Sequence, residues 1–285
     1  MLVETIFAGL FLASIYALAA FGLAIVYGVL HVLNFAHGAL LTLSAYLVFQ
    51  LVTSGWPFWG AIIAVTVVAA GIGVLLELFL FRRVIDRPLS GLIISIGLIG
   101  IIDSLVAVGW GPDPRALPRM VDGSMTVFGG IIAKDRVLVV VIAIVGLGLA
   151  QLAITRAPWG KLLRATAEDR EAAAMQGIPV LRVRTAAFVV GAGLAAVAGG
   201  IIGTTLPVEP GLGDNLILKA FIVIIVGGVG STGGTLLGAA VVGLAEALSI
   251  SYMPTSTAQL VPLAVLIVIL LTRPQGIAGT LTERV

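Results

Sequence analysis

The sequence predicts an all-α polytopic membrane protein, one transmembrane domain over residues 1–285, and three observations carry that prediction. Hydrophobic residues make up 60% of the chain and charged residues 11%. Mean hydropathy is +1.19, and apolar runs of membrane length recur along the whole sequence. Glycine is the third observation: 36 in 285 residues, with aromatics at 7%. That composition suits helices that pack backbone to backbone, because lipid gives helices no hydrophobic drive to associate.

A helix needs about 20 apolar residues to cross the hydrocarbon core. That length marks spans at Thr5–Leu30, Phe35–Val52, Phe58–Phe81, Leu89–Trp110, Val137–Ile154, Thr185–Leu206, Gly234–Tyr252 and Ala258–Thr272. The first has Glu4 but no Lys or Arg before it and is too long for a signal-peptide core, so it reads as a retained membrane helix. The run Leu216–Gly230 is of marginal length and ends in Gly227-Gly228-Val229-Gly230-Ser231-Thr232-Gly233-Gly234. It reads as a short helix or a re-entrant half-helix beside the Gly-rich run, which makes the count eight or nine crossings.

Charge sets the orientation. Arg82, Arg83 and Arg87 share one short loop; Arg156, Lys161, Arg164, Arg170, Arg182 and Arg184 share another, residues 156–184; Arg273 and Arg284 close the tail. The positive-inside rule assigns these to the cytoplasm. Alternation then puts residues 111–136 outside, where Arg115, Arg119, Lys134 and Arg136 are offset by Asp113, Asp122 and Asp135, and Thr126–Ile132 reads as a hairpin around Gly129-Gly130. Nine crossings would leave the N-terminus external and the tail internal. A net charge of +2 spread between apolar runs argues against a nucleic-acid patch. The chain has no cysteine and two histidines, so disulfides, thiolate sites and a histidine metal cluster are all excluded.

Within the basic loop, Leu162–Gln176 is rich in helix formers, and Gly177-Ile178-Pro179 is a stop signal. The expected element is a short surface helix. As an ordinary connector it would only be solvated. As a docking helix, Arg164, Glu168, Asp169 and Glu171 would make charged contacts at the rim of a soluble partner while Ala172, Ala173 and Gly177 let the partner approach closely. At Tyr27–Gly38, His31, Asn34 and His37 interrupt nearly fifty apolar residues. They either lie at the membrane interface or mark a second helix that begins below the surface, with its free N–H groups and Asn34 turned to a path through the membrane.

Residues 228–235 nearly fit a phosphate-binding loop, but Gly234 stands at the lysine position. Close helix packing or a broken helix is the better reading. Gly230, Gly234 and Gly238 form one stripe at every fourth residue, and Gly191, Ala195, Gly199 and Gly203 form another. Of the membrane charges, Glu77 is within reach of Arg82 and Lys219 can snorkel. Asp103 and Glu246 lie deeper, as buried ionisable groups in polar pairs or in a proton path. There are no paired catalytic carboxylates, no HExxH and no nucleophile elbow, which argues against an enzyme.

The stretch Glu171-Ala172-Ala173-x-x-x-Gly177 resembles the coupling-loop motif of ABC importer permeases, without that motif's Ile-x-Leu-Pro continuation at Arg184–Ala187. Taken with Tyr27–Gly38, the glycine run and Arg273-Pro274-Gln275-Gly276-Ile277, the chain resembles, over nearly its whole length, the LivH-type permeases of branched-chain amino-acid ABC importers. The resemblance implies a multi-pass subunit of a bacterial inner membrane that moves branched-chain or other hydrophobic amino acids by alternating access. Its implied partners are two cytoplasmic ABC ATPase subunits that hold the ATP, an external solute-binding protein, and a second permease chain, a homologous heterodimer partner being favoured over a second copy. No cofactor would be bound by this chain. Asn34, His37, Gly38, Gly227, Gly228, Gly230 and Ser231 are the candidates for the translocation pathway. The same family includes permeases for urea and short amides, and an ion-coupled secondary transporter using Asp103 and Glu246 is the alternative from another class.

Overall fold

The computed structural model describes residues 2–84, 87–127 and 129–279; Phe128 of the expected hairpin and Arg284 of the tail lie outside them. Helices α1 (Leu2–Leu30), α2 (Ala36–Thr53) and α3 (Phe58–Phe79) are followed by a 3-10 turn at Phe81–Val84 and by α4 (Pro88–Trp110). A hairpin of β1 (Ser124–Val127) and β2 (Gly130–Ala133) leads into α5 (Lys134–Arg156), and two short helices, α6 (Pro158–Glu168) and α7 (Arg170–Met175), into α8 (Val180–Ile202). The chain closes with α9 (Leu212–Gly227), α10 (Thr232–Ile250), α11 (Thr255–Ala258) and α12 (Val261–Thr272).

Among the described residues, eight helical segments are long and apolar enough to span a membrane, with α11 and α12 acting as one. Helix α9 is a ninth, shorter pass. Its 16 residues reach about 24 Å, against a hydrocarbon core of about 30 Å. Contacts at the two ends fix the parity. The Thr5 and Ser251 hydroxyls are 2.9 Å apart and the Ile131 N–H donates to Glu4, so the start of α1, the hairpin and the end of α10 share one end. At the other, basic end the tail pairs with the end of α9, Ile277 N–H donating to the Val226 carbonyl and Ala278 N–H to that of Gly227, both at 2.9 Å. The half-helix of the sequence reading is thus α9, and its shortfall lies at residues 203–211, not at the glycine run.

Helices α1 and α8 form the hub. Gly191 of α8 abuts Gly22 of α1, and Gly199 lies so close to the Leu41 carbonyl of α2 that a Cβ there would collide with it. The stripe on α8 therefore faces two helices at once. The tightest crossing joins the two short helices: a Cβ at Gly213 of α9 would overlap the Gly38 carbonyl of α2, and the Gly213 N–H donates to Thr42 Oγ1 at 2.8 Å. Antiparallel contact continues to the rings of Phe35 and Phe221, 4.7 Å between centroids and tilted by 48°.

Two polar clusters pin helices together inside this frame. Lys219 does not snorkel: its Nζ lies 2.6 Å from Glu246 and 2.8 Å from the Tyr16 hydroxyl, which itself donates to Glu246 at 2.6 Å. Glu246 is 2% exposed, so the triad ties α9 to α1 and α10 with its charges matched. Near the basic end, buried Glu77 of α3 accepts from Arg82 at 2.8 Å and from Thr185 of α8 at 2.9 Å.

Gly213→Leu should abolish a monodisperse peak in detergent, whereas Gly71→Leu, at a site with nothing within 4 Å of the added Cβ, should elute and melt as the parent does. Glu246→Gln leaves the half-buried Lys219 without a counter-charge and should cost about 2–3 kcal/mol, read as a fall in melting temperature. The double change Lys219→Met with Glu246→Leu should restore most of it.

Candidate functional site

The basic loop folds as two helices where one was expected, because Asp169 is extended (φ −151°, ψ 112°) and caps the second. Its Oδ1 accepts from the N–H groups of Glu171 and Ala172 at 2.8 and 2.9 Å. Gly177, at φ +81°, ends α7. Ile178 N–H returns to the Ala173 carbonyl at 3.1 Å and Gly177 N–H to that of Ala174 at 3.0 Å, the paired bonds of a Schellman stop, in which glycine alone is unstrained. Both ends of this six-residue helix are thereby closed. Glu168, Asp169 and Glu171 are exposed, Ala172 is half-buried, and Ala173 points inward at 5% exposure. Arg164 is exposed, with its guanidinium donating to the Ile154 and Thr155 carbonyls at the end of α5. The sequence reading missed Met175, which stands 83% exposed at the tip.

The glycine run is the turn between α9 and α10. Gly227 and Gly234 meet backbone to backbone, Gly228 is covered by the tail at Gly276 and Gly279, and Ser231 caps α10 by accepting from Gly234 N–H at 3.0 Å. Gly230 lies outside α10 with φ +83°, so the second stripe keeps only Gly234 and Gly238, both against α9.

The break between α1 and α2 lies within the protein. His31 ends α1 in a left-handed conformation, φ +54°, and the Ser95 hydroxyl of α4 donates to the Leu33 carbonyl. Asn34 and His37 are almost fully buried, and Asn34 Oδ1 and His37 Nε2 have no partner. The His37 ring packs on Gly22 and Gly38 on Gly213. All three are enclosed by neighbouring helices in this conformation.

A different polar face occupies the opposite end of the molecule. Asp103, seven residues before the end of α4, and so about 10 Å below it, meets Asp214 in the first turn of α9. Their carboxyl groups are within hydrogen-bonding reach of each other, with the Gly211 backbone close by. One oxygen of each has no partner. The pair is half-buried, with Asn215 and Glu209 exposed beside it. Arg115 reaches the same place because its backbone pairs with Val208 in both directions at 2.8 Å, while its guanidinium donates to the Trp110 carbonyl. Asp214 went unread because it lies in the short polar stretch Gly211-Leu212-Gly213-Asp214-Asn215, just before an apolar run that ends in more conspicuous glycines. Its position, a carboxylate opening a helix too short to span, was the available signal.

The family profile described as "Branched-chain amino acid transport system / permease component" matches residues 5–270. The chain is similar to the high-affinity branched-chain amino acid transport system permease protein LivH of Escherichia coli (strain K12), 32% identical with 97% of this chain and 95% of that protein covered. It is likewise 32% identical to BraD of Pseudomonas aeruginosa, a permease protein of the same description, over 95% and 94% of the two chains. A probable branched-chain amino acid transport permease protein LivH of Methanocaldococcus jannaschii is 27% identical over 94% and 89%. No solved structure matches. With eight membrane-length helices and a family profile matched across nearly its whole length, the chain is a multi-pass transport subunit and not an enzyme, and it belongs to the branched-chain amino acid permease family.

Proposed function

We propose that the chain is the inner-membrane permease subunit of an ATP-driven ABC importer whose cargo is a branched-chain or other hydrophobic amino acid. The observation that carries the reading is the α6–α7 segment: a short helix closed at both ends, on the basic end of a membrane-spanning bundle, with Met175 projecting from it. A closed helix keeps its shape when pushed. Residues 156–184 are then the cytoplasmic coupling loop and residues 111–136 the external loop. Glu168, Asp169 and Glu171 make the rim contacts with an ABC ATPase, two copies of which hold the ATP, and Met175 is the apolar anchor. A second, related permease chain completes the pore, and an external solute-binding protein delivers cargo to the opposite end. Asn34 and His37, buried and each with one polar atom unpartnered, are the polar groups an opening cavity would uncover, with Gly38 and Gly227 as the points where packed helices slide.

The Asp103–Asp214 contact is what an ion-coupled secondary transporter would use, so energetics decide between the two. Reconstituted with its partner subunits in proteoliposomes, the chain should take up leucine only with ATP inside and binding protein outside; uptake driven by a proton gradient in the chain alone would overturn the reading. Urea or a short amide competing as well as valine would move the cargo to the other branch of the family. Met175→Glu should weaken ATPase co-purification roughly tenfold without changing membrane insertion. Asp169→Ala, which uncaps α7 at a cost of about 1 kcal/mol, should lower transport-coupled ATP hydrolysis in the same assay.

A further inference from the structure

Two carboxyl groups held against each other repel unless a proton or a cation sits with them, and the Asp103–Asp214 pair has a free oxygen on each side chain. Tyr46 of α2 gives a second, separate indication. It is wholly buried, 0% exposed, and its hydroxyl has no partner, although buried hydroxyls in proteins almost always find one. That hydroxyl lies within electrostatic range of Asp103, Glu209 and Arg115, and its ring is fixed against Trp110 at 5.5 Å between centroids. A half-buried carboxyl pair at this depth cannot face hydrocarbon, so water or cargo must reach it. The groups thus differ in depth as in charge: two half-buried carboxyls, a buried hydroxyl and an exposed guanidinium.

We propose that this face is a receiving subsite for the head group of a zwitterionic amino acid, the Asp103–Asp214 pair taking the ammonium, Tyr46 a hydrogen bond from it, and Arg115 the carboxylate. The proposal rests on the importer reading above and deepens it by naming the part of the cargo this chain recognises. The subsite lies at the end opposite the coupling loop, where a delivered solute arrives. Arg115 has guanidinium N–H groups beyond the one bound to Trp110 with which to hold a carboxylate. Glu209, exposed on the rim, draws in the ammonium and disfavours solutes that are anionic only.

The absence of cysteine makes a direct test possible. Asn215→Cys places one thiol beside Asp214, and its maleimide labelling is followed in the complex assembled with its partner subunits. Leucine should slow labelling about tenfold, whereas 4-methylpentanoate, which lacks the ammonium, and isoamylamine, which lacks the carboxylate, should slow it little. Asp103→Asn with Asp214→Asn should remove the protection and raise the KM of ATP-driven leucine uptake by a similar factor. Tyr46→Phe, which deletes only a hydroxyl, should raise KM several-fold at unchanged complex yield, and this keeps the proposal testable if the paired change impairs assembly. Unchanged labelling in a complex that imports leucine, or wild-type KM in both variants, would overturn the subsite and leave the importer standing. A complex that imports no amino acid would overturn both.

Discussion

No water reaches the hydrocarbon core to satisfy a broken helix, so each irregular stretch of backbone there must be sealed by the rest of the chain or open to a wet cavity. This protein breaks its helices twice within the membrane, at residues 31–35 and 203–211. The two breaks are solved together. The short helices they release, α2 and α9, cross where Gly38 and Gly213 touch through their backbones, and Thr42 takes the Gly213 N–H that the start of α9 would otherwise leave bare. Small residues make the crossing possible, and the crossing makes the breaks tolerable. The other close contacts, α8 on α1 and α2 and α10 on α9, extend the same device, which is why 36 glycines coexist with a well-packed interior.

The charges inside the bundle divide by whether they are matched. Glu246 has Lys219 and Tyr16, and Glu77 has Arg82 and Thr185; each set spends all its charge within the fold and fixes helices relative to one another. Asp103 and Asp214 have each other, which is no electrostatic resolution. The carboxylates that have a cationic partner, Glu246 and Glu77, are buried, while Asp103 and Asp214 are half-buried, as expected if the first kind serves architecture and the second meets something from outside.

Much of this was legible in the chain. Eight spans were marked to within a few residues because a 20-residue apolar run has one physical solution in lipid. The Gly177-Ile178-Pro179 stop was readable for the same kind of reason, since a left-handed residue followed by proline leaves a helix nowhere to go. What could not be read was pairing across the sequence. Lys219 and Glu246 are 27 residues apart and Tyr16 is 203 from Lys219, so periodicity carries no trace of their meeting. Nor does anything local reveal that Arg164, an exposed rim charge, also bonds the carbonyls at the end of α5. Asp169 broke the expected surface helix because a side chain that caps the following N–H groups competes with continuing the preceding turn.

The distances involved give the proposed importer a simple mechanical logic. Helix α8 begins three residues after Gly177 and runs 23 residues, about 35 Å, to the segment that carries Glu209, Gly211 and the strand partner of Arg115. At its base Thr185 is tied through Glu77 and Arg82 to α3, and along its length Gly191 packs on Gly22 and the Val26 side chain of α1 and Gly199 on the Leu41 carbonyl of α2. In the proposed importer a push on α7 reaches α8 directly, and the far end of that helix leads into the loop beside the carboxyl pair. Coupling between the two ends then needs no separate chain of contacts: one continuous helix, tied at its base and closely packed along its length, carries a displacement from one end to the other.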